Sequence, residues 1–417
     1  MSEKLRAPWL DTPETKKVFA ALEAARPGGS RFVGGCVRNA LLNQPTDDID
    51  IATQLIPEQT IAAAKAAGLA HAPTGIEHGT ITIIADHKPY EVTTLRRDVT
   101  TDGRRATVAF TGDWAEDAAR RDFRLNALYA DPDGALHDPT GDGLADLRAG
   151  RVIFIGDAET RIREDYLRIL RFFRFNAWYG KGAPDAGGLA ACAALKDGIA
   201  TLSAERVWKE LKKLLDAEDP RTAMSAMAGA GVLAAALPEA RNLPRLEQLV
   251  SIESDFFLPH DSVVRLAALL PDDPEIARAA ARRLKLSNEE RGQLVSAVTI
   301  GASRDDRIVP HLSMRDMRRV LYRLGRAAFE DRVRLGWAGD ENSKRATQWR
   351  ALLAHAESWT RPKFPLTGEQ VMHAGAPPGP KVGEVMREVE DWWIDADFTD
   401  DQFSIMERLK AVVTGLM

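Results

Sequence analysis

Cysteine is scarce in this 417-residue chain, which contains only Cys36 and Cys192. The two lie too far apart in sequence to suggest a metal knuckle, and two thiols cannot form a disulfide framework. Long apolar runs are also lacking, since the longest weakly polar stretch, 224–237, is interrupted by a serine and two glycines. No basic-then-apolar secretion signal opens the sequence. We therefore expect a cytoplasmic protein with no membrane association.

A general excess of basic charge is lacking as well, because 56 Lys and Arg stand against 61 Asp and Glu, a net charge of −5. This argues against a generic polycation for nucleic acid. The distribution is nevertheless uneven: residues 282–350 hold 16 basic and 9 acidic side chains, leaving −12 for the rest. This basic segment either forms a phosphate-binding face, with Arg318, Arg319 and Arg323 as contacts, or is an ordinary solvated helical surface.

Residues 30 to about 130 have a strand-like pattern. The apolar or alternating runs RFVGG, DDIDIAT, GTITIIAD and KPYEVTTL predict strands, and Asp-His-Lys-Pro between the last two predicts a turn. The polar stretch 97–112 predicts a mobile loop. This region is therefore expected to be a small mixed α/β unit.

Helical periodicity dominates after Arg151 and the apolar run VIFIG. From Arg163 onward one apolar face is predicted, formed by Tyr166, Ile169, Leu170, Phe173 and Ala177. Further helices are predicted around 204–217, 274–285, 314–335 and 382–394. The fold class is thus α+β, with a small mixed sheet followed by an all-α remainder.

Asp48 and Asp50 form the strongest local signal for chemistry. A strand places residues two apart on one face, so both carboxylates point one way while Ile49 and Ile51 point into a core. Mg²⁺ prefers oxygen ligands and commonly bridges carboxylates and phosphates, as two-metal nucleotidyl transfer requires. Such acid pairs also occur as solvated turns or caps. Glu91, on a neighbouring predicted strand, either completes the metal site or is a plain edge residue.

Two basic segments could hold a phosphate. Gly34 and Gly35 close the first strand before a helix start, where exposed N–H groups favour an anion and Arg38 adds a forked donor. The alternative is a simple strand-to-helix turn. The segment 120–128 is helical by pattern, and its Arg121 could reach a triphosphate or be ordinary surface.

The segment EDYLRILRFFRF carries Asp165, Arg168, Arg171 and Arg174 at intervals of three, which predicts a polar ladder on one helix. An ionised Asp only accepts hydrogen bonds and Arg only donates them. Cytosine and adenine both present an amine donor beside a ring-nitrogen acceptor, unlike uracil and guanine. The Asp165–Arg168 pair could therefore accept C and A and reject U and G. The alternative is an ordinary salt bridge on an exposed helix, worth only ~0.3 kcal/mol.

Taken together, these motifs resemble those of class II CCA-adding enzymes and bacterial poly(A) polymerases. The resemblance covers about residues 30 to 215 and rests on GGCVRN, DDID, EVTTLRR, ARRDFRLNALY with DPTGDGLADL, and EDYLRILRFFRF, in that order. It implies a nucleotidyltransferase head at 1–150, a helical neck with a base-reading helix at 151–260, and an RNA-binding body and tail at 261–417.

The resemblance also implies roles for single residues. Asp48 and Asp50 would hold Mg²⁺, and the incoming nucleotide would contact Gly35, Arg38, Arg121, Asp165, Arg168, Arg171 and Arg174. The implied reaction is attack of the tRNA 3′-hydroxyl on CTP or ATP, releasing pyrophosphate. Alternatives within the class are a poly(A) polymerase or an enzyme adding only CC or only A. From another class, the alternative is an inactive nucleotide sensor or RNA-binding protein.

Two positions call for comment beside this resemblance. Asn39 stands where the family usually has Asp, which puts in doubt any ion pair made there but not the metal site. His260–Asp261 is similar to the start of a metal-dependent phosphohydrolase motif. The chain has only eight histidines, and the nearest to His260 are His137 and His311, so we expect a structural role. The oligomeric state is not predicted by the sequence.

Overall fold

The computed structural model describes residues 4–46, 48–102, 105–299 and 307–415. Side chains at 98–108 and 343 are outside this description. The chain divides into two compact units, Met1–Ala240 and Arg241–Met417. The three-part division into head, neck, and body with tail stays a prediction.

The first unit combines a sheet-containing half with a helical half. Its strands are β1 Ser30–Val33, β2 Asp50–Thr53, β3 Ala70–Gly75, β4 Thr80–Ala85, β5 Lys88–Thr94, β6 Arg96–Asp102, β7 Arg105–Phe110, β8 Tyr129–Ala130 and β9 Leu136–His137. Its helices are α1 Pro13–Ala25, α2 Gly35–Leu41, α3 Pro57–Ala66, α4 Trp114–Ala119, α5 Gly143–Ala149, α6 Ala158–Glu164, α7 Leu167–Tyr179, α8 Ala186–Leu195, α9 Ala204–Leu215, α10 Arg221–Gly229 and α11 Val232–Ala236.

The main sheet is mixed, as the sequence predicts. Within the described residues it has seven strands in the order β3-β4-β5-β2-β1-β8-β9, and β2 with β5 is its parallel pair. Helix α1 packs against one face, where the rings of Phe19 and Phe32 lie 4.4 Å apart and Thr15 hydrogen-bonds Tyr90. In the antiparallel β1–β2 ladder Phe32 pairs with Ile51, so Ile51 shares that covered face. Asp50 consequently faces the other side of the sheet.

The four predicted strands are present, and the turn between β4 and β5 falls at Asp86 and His87, which have φ values of 48° and 66°. The expectation of a loop at 97–112 is wrong for the described part, since β6 and β7 pair antiparallel from Arg96 opposite Phe110. Hairpin pairing satisfies backbone groups without needing an apolar alternation, so this polar segment gave no strand signal.

The helix predicted from Arg163 onward is interrupted. Helix α6 ends at Glu164, Asp165 has an extended backbone, and α7 begins at Leu167. The side chain of Asp165 accepts a hydrogen bond from Leu167 N (3.1 Å), which stabilises the start of α7 in place of a continuous helix. Predicted apolar positions Ile169, Leu170 and Phe173 are buried. Phe172 and Phe175 are buried as well, so α7 has apolar contacts on more than one face.

The second unit contains helices and no β-strand among its described residues. Its helices are α12 Leu243–Asp255, α13 Ser262–Leu269, α14 Pro274–Arg283, α15 Asn288–Val298, α16 Met314–Leu324, α17 Arg326–Ala338, α18 Ala346–Ser358, α19 Gly368–His373, α20 Pro380–Asp395 and α21 Gln402–Gly415. The helix predicted at 314–335 is two helices, because Gly325 has a φ of 78° and ends the first. Among the described residues, no helix is long and apolar enough to cross a membrane.

Candidate active site

Asp48, Asp50 and Glu91 lie at one part of the main sheet. Ile49 and Ile51 are 3% and 0% exposed, whereas Asp48 is exposed and Asp50 half-buried, so the alternation predicted for this segment is present. Only Asp50 belongs to β2, because Asp48 precedes the strand. The parallel register places Asp50 opposite Glu91 on β5. The two acids are therefore neighbours on one face.

Negative charge is crowded around Asp50. Burial raises the pKa of its carboxyl to about 6, and the charges of Glu91 and Asp48 act in the same direction against Arg121 and Arg38. A bound divalent cation would offset this repulsion, so the donor set suits one. Across the described residues, no three His, Cys, Asp or Glu side chains form a ready-made metal cage. Glu91 as a third ligand therefore stays a prediction.

The glycine turn lies beside Arg121. Gly34 has a φ of 72° and precedes α2, a conformation that disfavours any residue with a Cβ. A Cβ built there would lie 3.6 Å from Nη1 of Arg121. Asp117 accepts hydrogen bonds from Nε and Nη2 of Arg121 at 3.3 and 3.1 Å. Gly34, Gly35 and Arg121 are thus brought together near Asp50, as a triphosphate-binding corner would require.

The helix predicted at 120–128 is absent from the structure. After α4 the chain makes a single 3-10 turn at Arg124–Asn126 and then enters β8. Phe123 forms an isolated bridge with Phe154, and Arg124 N donates to Ile153 O. These bridges to the predicted VIFIG run replace helical hydrogen bonds, which periodicity alone could not show.

Arg38 is buried and donates hydrogen bonds to three other side chains. It is 7% exposed, and its Nη2 donates to Tyr179 Oη at 2.8 Å and to Asn39 Oδ1 at 2.9 Å. Its Nη1 donates to Asn126 Oδ1. Burial lowers the pKa of this guanidinium from its ordinary value. The structure thus shows Arg38 linking α2 to α7, and its predicted nucleotide contact stays a prediction.

Asn39 uses both ends of its amide. Its Oδ1 accepts from Arg38, while its Nδ2 donates to Pro45 O at 2.9 Å. An aspartate could accept the first bond but not donate the second. Where the family usually has a charged aspartate, Asn39 therefore makes a hydrogen bond to Pro45, just ahead of the segment that carries Asp48.

A buried polar network, which sequence reasoning missed, continues from Arg38. Asn126 accepts from Arg38 and donates to Asp122 Oδ1 at 2.9 Å. Asp122 Oδ2 accepts from Arg171 Nε at 2.8 Å, and Arg174 Nε donates to Glu210 on α9 at 2.5 Å. The signal available in the sequence was the placing of Asp122 and Asn126 among the apolar residues Phe123, Leu125 and Ala127, since buried polar groups need partners.

The ionised state of Asp122 stabilises the fold above acidic pH. Although burial opposes ionisation, the guanidinium of Arg171 and the amide of Asn126 lower the pKa of Asp122 to about 2. A depressed folded-state pKa contributes stability that is complete above the unfolded value near 4 and is lost as pH falls from about 4 to 2.

We therefore expect Asp122→Asn to lower the melting temperature at pH 7, because Arg171 loses its buried partner. The difference from the wild type should shrink below pH 4, where the wild-type carboxyl begins to protonate. Thermal melts at intervals between pH 7 and pH 2.5 measure this. Asp11→Asn, at an exposed carboxylate paired with Lys16, is the control and should follow the wild-type profile. A constant difference across the whole range would contradict the assignment.

Asp165 and Arg168 do not pair with each other, although both lie in the described part of the chain. Asp165 Oδ2 accepts from Arg206 Nη2 at 2.7 Å. Arg168 Nη1 donates to Glu164 Oε2 at 2.5 Å, and its Nη2 donates to Arg120 O at 3.0 Å. The ordinary i,i+3 salt bridge is therefore not formed. Each group is oriented separately, and Arg206 and Glu164 are partners that the sequence analysis did not identify.

Three arginines of the late basic segment are paired with acids. Arg318, Arg319 and Arg323 form ion pairs with Asp397, Asp316 and Asp391 respectively. For these arginines the solvated helical surface fits better than a set of free phosphate contacts. Asp261 has the expected structural role, because its side chain caps the N-terminus of α13 by accepting hydrogen bonds from Val263 N and Val264 N.

The mixed sheet, the carboxylates beside a glycine turn and the adjoining helix define the class of nucleotidyltransferases with a poly(A) polymerase type of head. Residues 30–153 match the family described as "Poly A polymerase head domain". Residues 188–243 match the "Probable RNA and SrmB- binding site of polymerase A".

Curated relatives match nearly the whole chain. A mouse CCA tRNA nucleotidyltransferase 1, mitochondrial, is 32% identical over 96% of this chain and 92% of its own length. A CCA-adding enzyme of Streptococcus gordonii is 33% identical over 95% of this chain and 97% of its own. The Bacillus stearothermophilus CCA-adding enzyme, solved in complex with CTP, is 26% identical, covers 97% of this chain and 100% of that chain, and has a TM-score of 0.73. The chain belongs to the family of class II CCA-adding enzymes, the tRNA nucleotidyltransferases.

Proposed function

We propose that this enzyme adds C, C and A to the 3′ end of tRNA from CTP and ATP, with release of pyrophosphate. The observation that carries the proposal is the placing of Asp48 and Asp50 beside Gly34 and Arg121, in a chain of this family. In this proposal a triphosphate held by the glycine turn presents its α-phosphate to these carboxylates. An RNA 3′-hydroxyl attacks that phosphorus, the bond to the β-phosphate oxygen breaks, and pyrophosphate leaves.

Asp48 and Asp50 would hold Mg²⁺, which supplies charge neutralisation of the phosphates when bound. The chain's own contribution is positioning. Gly34 lets the backbone approach the phosphates, and Arg121 is oriented by Asp117 toward the same corner. Arg171 and Arg174 are oriented by ion pairs with Asp122 and Glu210 and are proposed to contact the nucleotide nearby.

Asp165 and Arg168 are proposed to read the Watson–Crick edge of the incoming base. Asp165 accepts from the exocyclic amine and Arg168 donates to the ring nitrogen, an arrangement that C and A satisfy and U and G do not. What supports this proposal is that the two side chains are anchored separately, Asp165 by Arg206 and Arg168 by Glu164, so they do not occupy each other's hydrogen-bonding groups.

The function is tested with tRNA trimmed by zero to three 3′ residues and labelled nucleotides. CTP alone should add two residues to tRNA lacking all three, and ATP alone one residue to tRNA lacking only the last. Both together should restore CCA and then stop. Long products with ATP alone would identify a poly(A) polymerase. Addition of only C or only A would identify a partial enzyme. RNA binding without incorporation would identify an inactive RNA-binding protein.

The cytoplasmic location and the domain roles are also proposals. Relatives include mitochondrial enzymes by name, so fractionation of the native host decides the location. We propose that residues 1–150 form the catalytic head, 151–260 the neck with the base-reading helix, and 261–417 the RNA-binding body and tail.

A further inference from the structure

Phe257 occupies an unusual backbone position for an aromatic residue. It follows α12, and Leu258 N donates to Glu253 O at 2.9 Å, the hydrogen bond that closes a Schellman ending. Its φ is 53°, in the left-handed region that glycine normally takes because a Cβ is disfavoured there. The side chain is also 94% exposed. A bulky aromatic is thus held in a strained place without being buried.

Phe398 provides an internal comparison. It has a φ of 62° after α20, but its ring lies 5.1 Å from that of Trp393 and 5.2 Å from that of Tyr322. Packing offsets the strain there. Phe257 has no aromatic or cationic partner for its ring among the residues that the structure describes. Unrelieved strain at an exposed aromatic points to a binding role.

The loop around Phe257 is held firmly by its neighbours. The ring of Phe256 lies 4.9 Å from that of Trp337, and Arg334 Nη1 donates to Pro259 O at 2.8 Å. Phe257 is therefore presented before any partner binds, which reduces the entropy lost on binding.

Arg350 on α18 adds a positive charge to this loop. Its guanidinium lies 4.9 Å from the ring of Phe256, and it forms no ion pair with any residue in the described ranges. The side chain is exposed. Phe257 directly follows Phe256, so the same loop offers an exposed aromatic face for a base and, at Phe256, an unneutralised cation for a phosphate, a combination that binds unpaired nucleotides. A purely apolar protein partner would leave this cation desolvated and unpaired.

We infer that Phe257 and Arg350 form an RNA contact, in which Phe257 stacks on an exposed base of the tRNA substrate and Arg350 binds an adjacent phosphate. The identity of the RNA rests on the proposed function. The contact lies in the second unit, outside the residues matched by the family models.

The test measures binding of fluorescein-labelled tRNA lacking CCA to the full chain by anisotropy. Phe257→Gly should weaken binding about tenfold while raising the melting temperature, because glycine relieves the backbone strain. Phe257→Trp should retain affinity. Arg350→Gln should weaken binding and reduce the slope of log K against log salt by roughly 0.7–0.9. Phe403→Ala, at a 74% exposed phenylalanine in a regular helix, is the matched control and should bind like the wild type.

Steady-state kinetics separate this contact from catalysis. Phe257→Gly should raise KM for tRNA and leave kcat at saturating tRNA unchanged. Unchanged affinity in Phe257→Gly, or an equal loss in Phe403→Ala, would overturn the inference. The inference would also be overturned if Phe257→Gly abolished concentration-dependent self-association of the protein but kept its affinity for RNA. That result would assign Phe257 to a protein contact. Wild-type chain that binds tRNA but adds no nucleotide would refute the proposed function alone, because the affinity comparison does not need incorporation.

Discussion

Replacing both Asp48 and Asp50 by alanine is expected to reduce nucleotide incorporation to background while leaving tRNA affinity unchanged. Both carboxylates face away from the sheet core, so neither contributes to its packing. Removing them also relieves the burial of the Asp50 carboxyl and its repulsion with Glu91, which together raise its pKa, and the variant should therefore fold. The expected loss is at least about a thousandfold, since charge stabilisation at a reacting phosphate is among the largest contributions to catalysis.

Incorporation is measured under single-turnover conditions with labelled CTP and Mg²⁺, and tRNA affinity is measured in parallel. Asp86→Asn is the matched control, because this exposed carboxylate in the β4–β5 turn has a φ of 48° that asparagine tolerates. Activity in the double variant within tenfold of the wild type would remove the metal assignment. Loss of tRNA affinity together with activity would instead indicate misfolding.

Asp165→Ala is expected to weaken selection against UTP and GTP by about 10- to 100-fold relative to CTP and ATP. In its proposed role the wild-type carboxylate would reject U and G, because their carbonyl groups would face an acceptor and leave it unpaired, at a cost of about 1–3 kcal/mol. Alanine removes that penalty and the favourable bond to C and A together. Competition assays with pairs of labelled nucleotides measure the ratio directly.

Glu159→Ala is the control for this variant. Glu159 lies on the neighbouring α6 and pairs with Arg163 in an exposed i,i+4 ion pair, so its loss should leave selection unchanged. Retained discrimination in Asp165→Ala would refute the role of that residue. An equal loss of incorporation for all four nucleotides would show that Asp165 only stabilises the start of α7 and holds Arg206 in place.

The two-residue alternation of side chains and the choice of turn residues made the strands around the candidate site predictable. The alternation of acid and isoleucine at 48–51 predicted which side chains face the site, and Asp-His-Lys-Pro predicted a turn that the structure has at Asp86 and His87. Both signals depend on residues close in sequence. The parallel register between Asp50 and Glu91 joins residues 41 positions apart, so their neighbouring strands were expected but not the register itself.

The partners of the site residues were not predictable in the same way. Glu210 and Tyr179 reach Arg174 and Arg38 only through tertiary packing, for which one sequence gives no spacing rule. The pairing of β6 with β7 and the break before α7 were missed because local hydrogen bonds overrode periodicity.

The two anchors of Asp165 bear on how a nucleotide would be received. A carboxylate offers about four lone-pair positions, and the bonds from Leu167 N and Arg206 occupy two of them. A third donor could be added without displacing either. Reception of a base amine would then require no rearrangement of this helix start, and the empty and loaded enzyme would share the same local backbone.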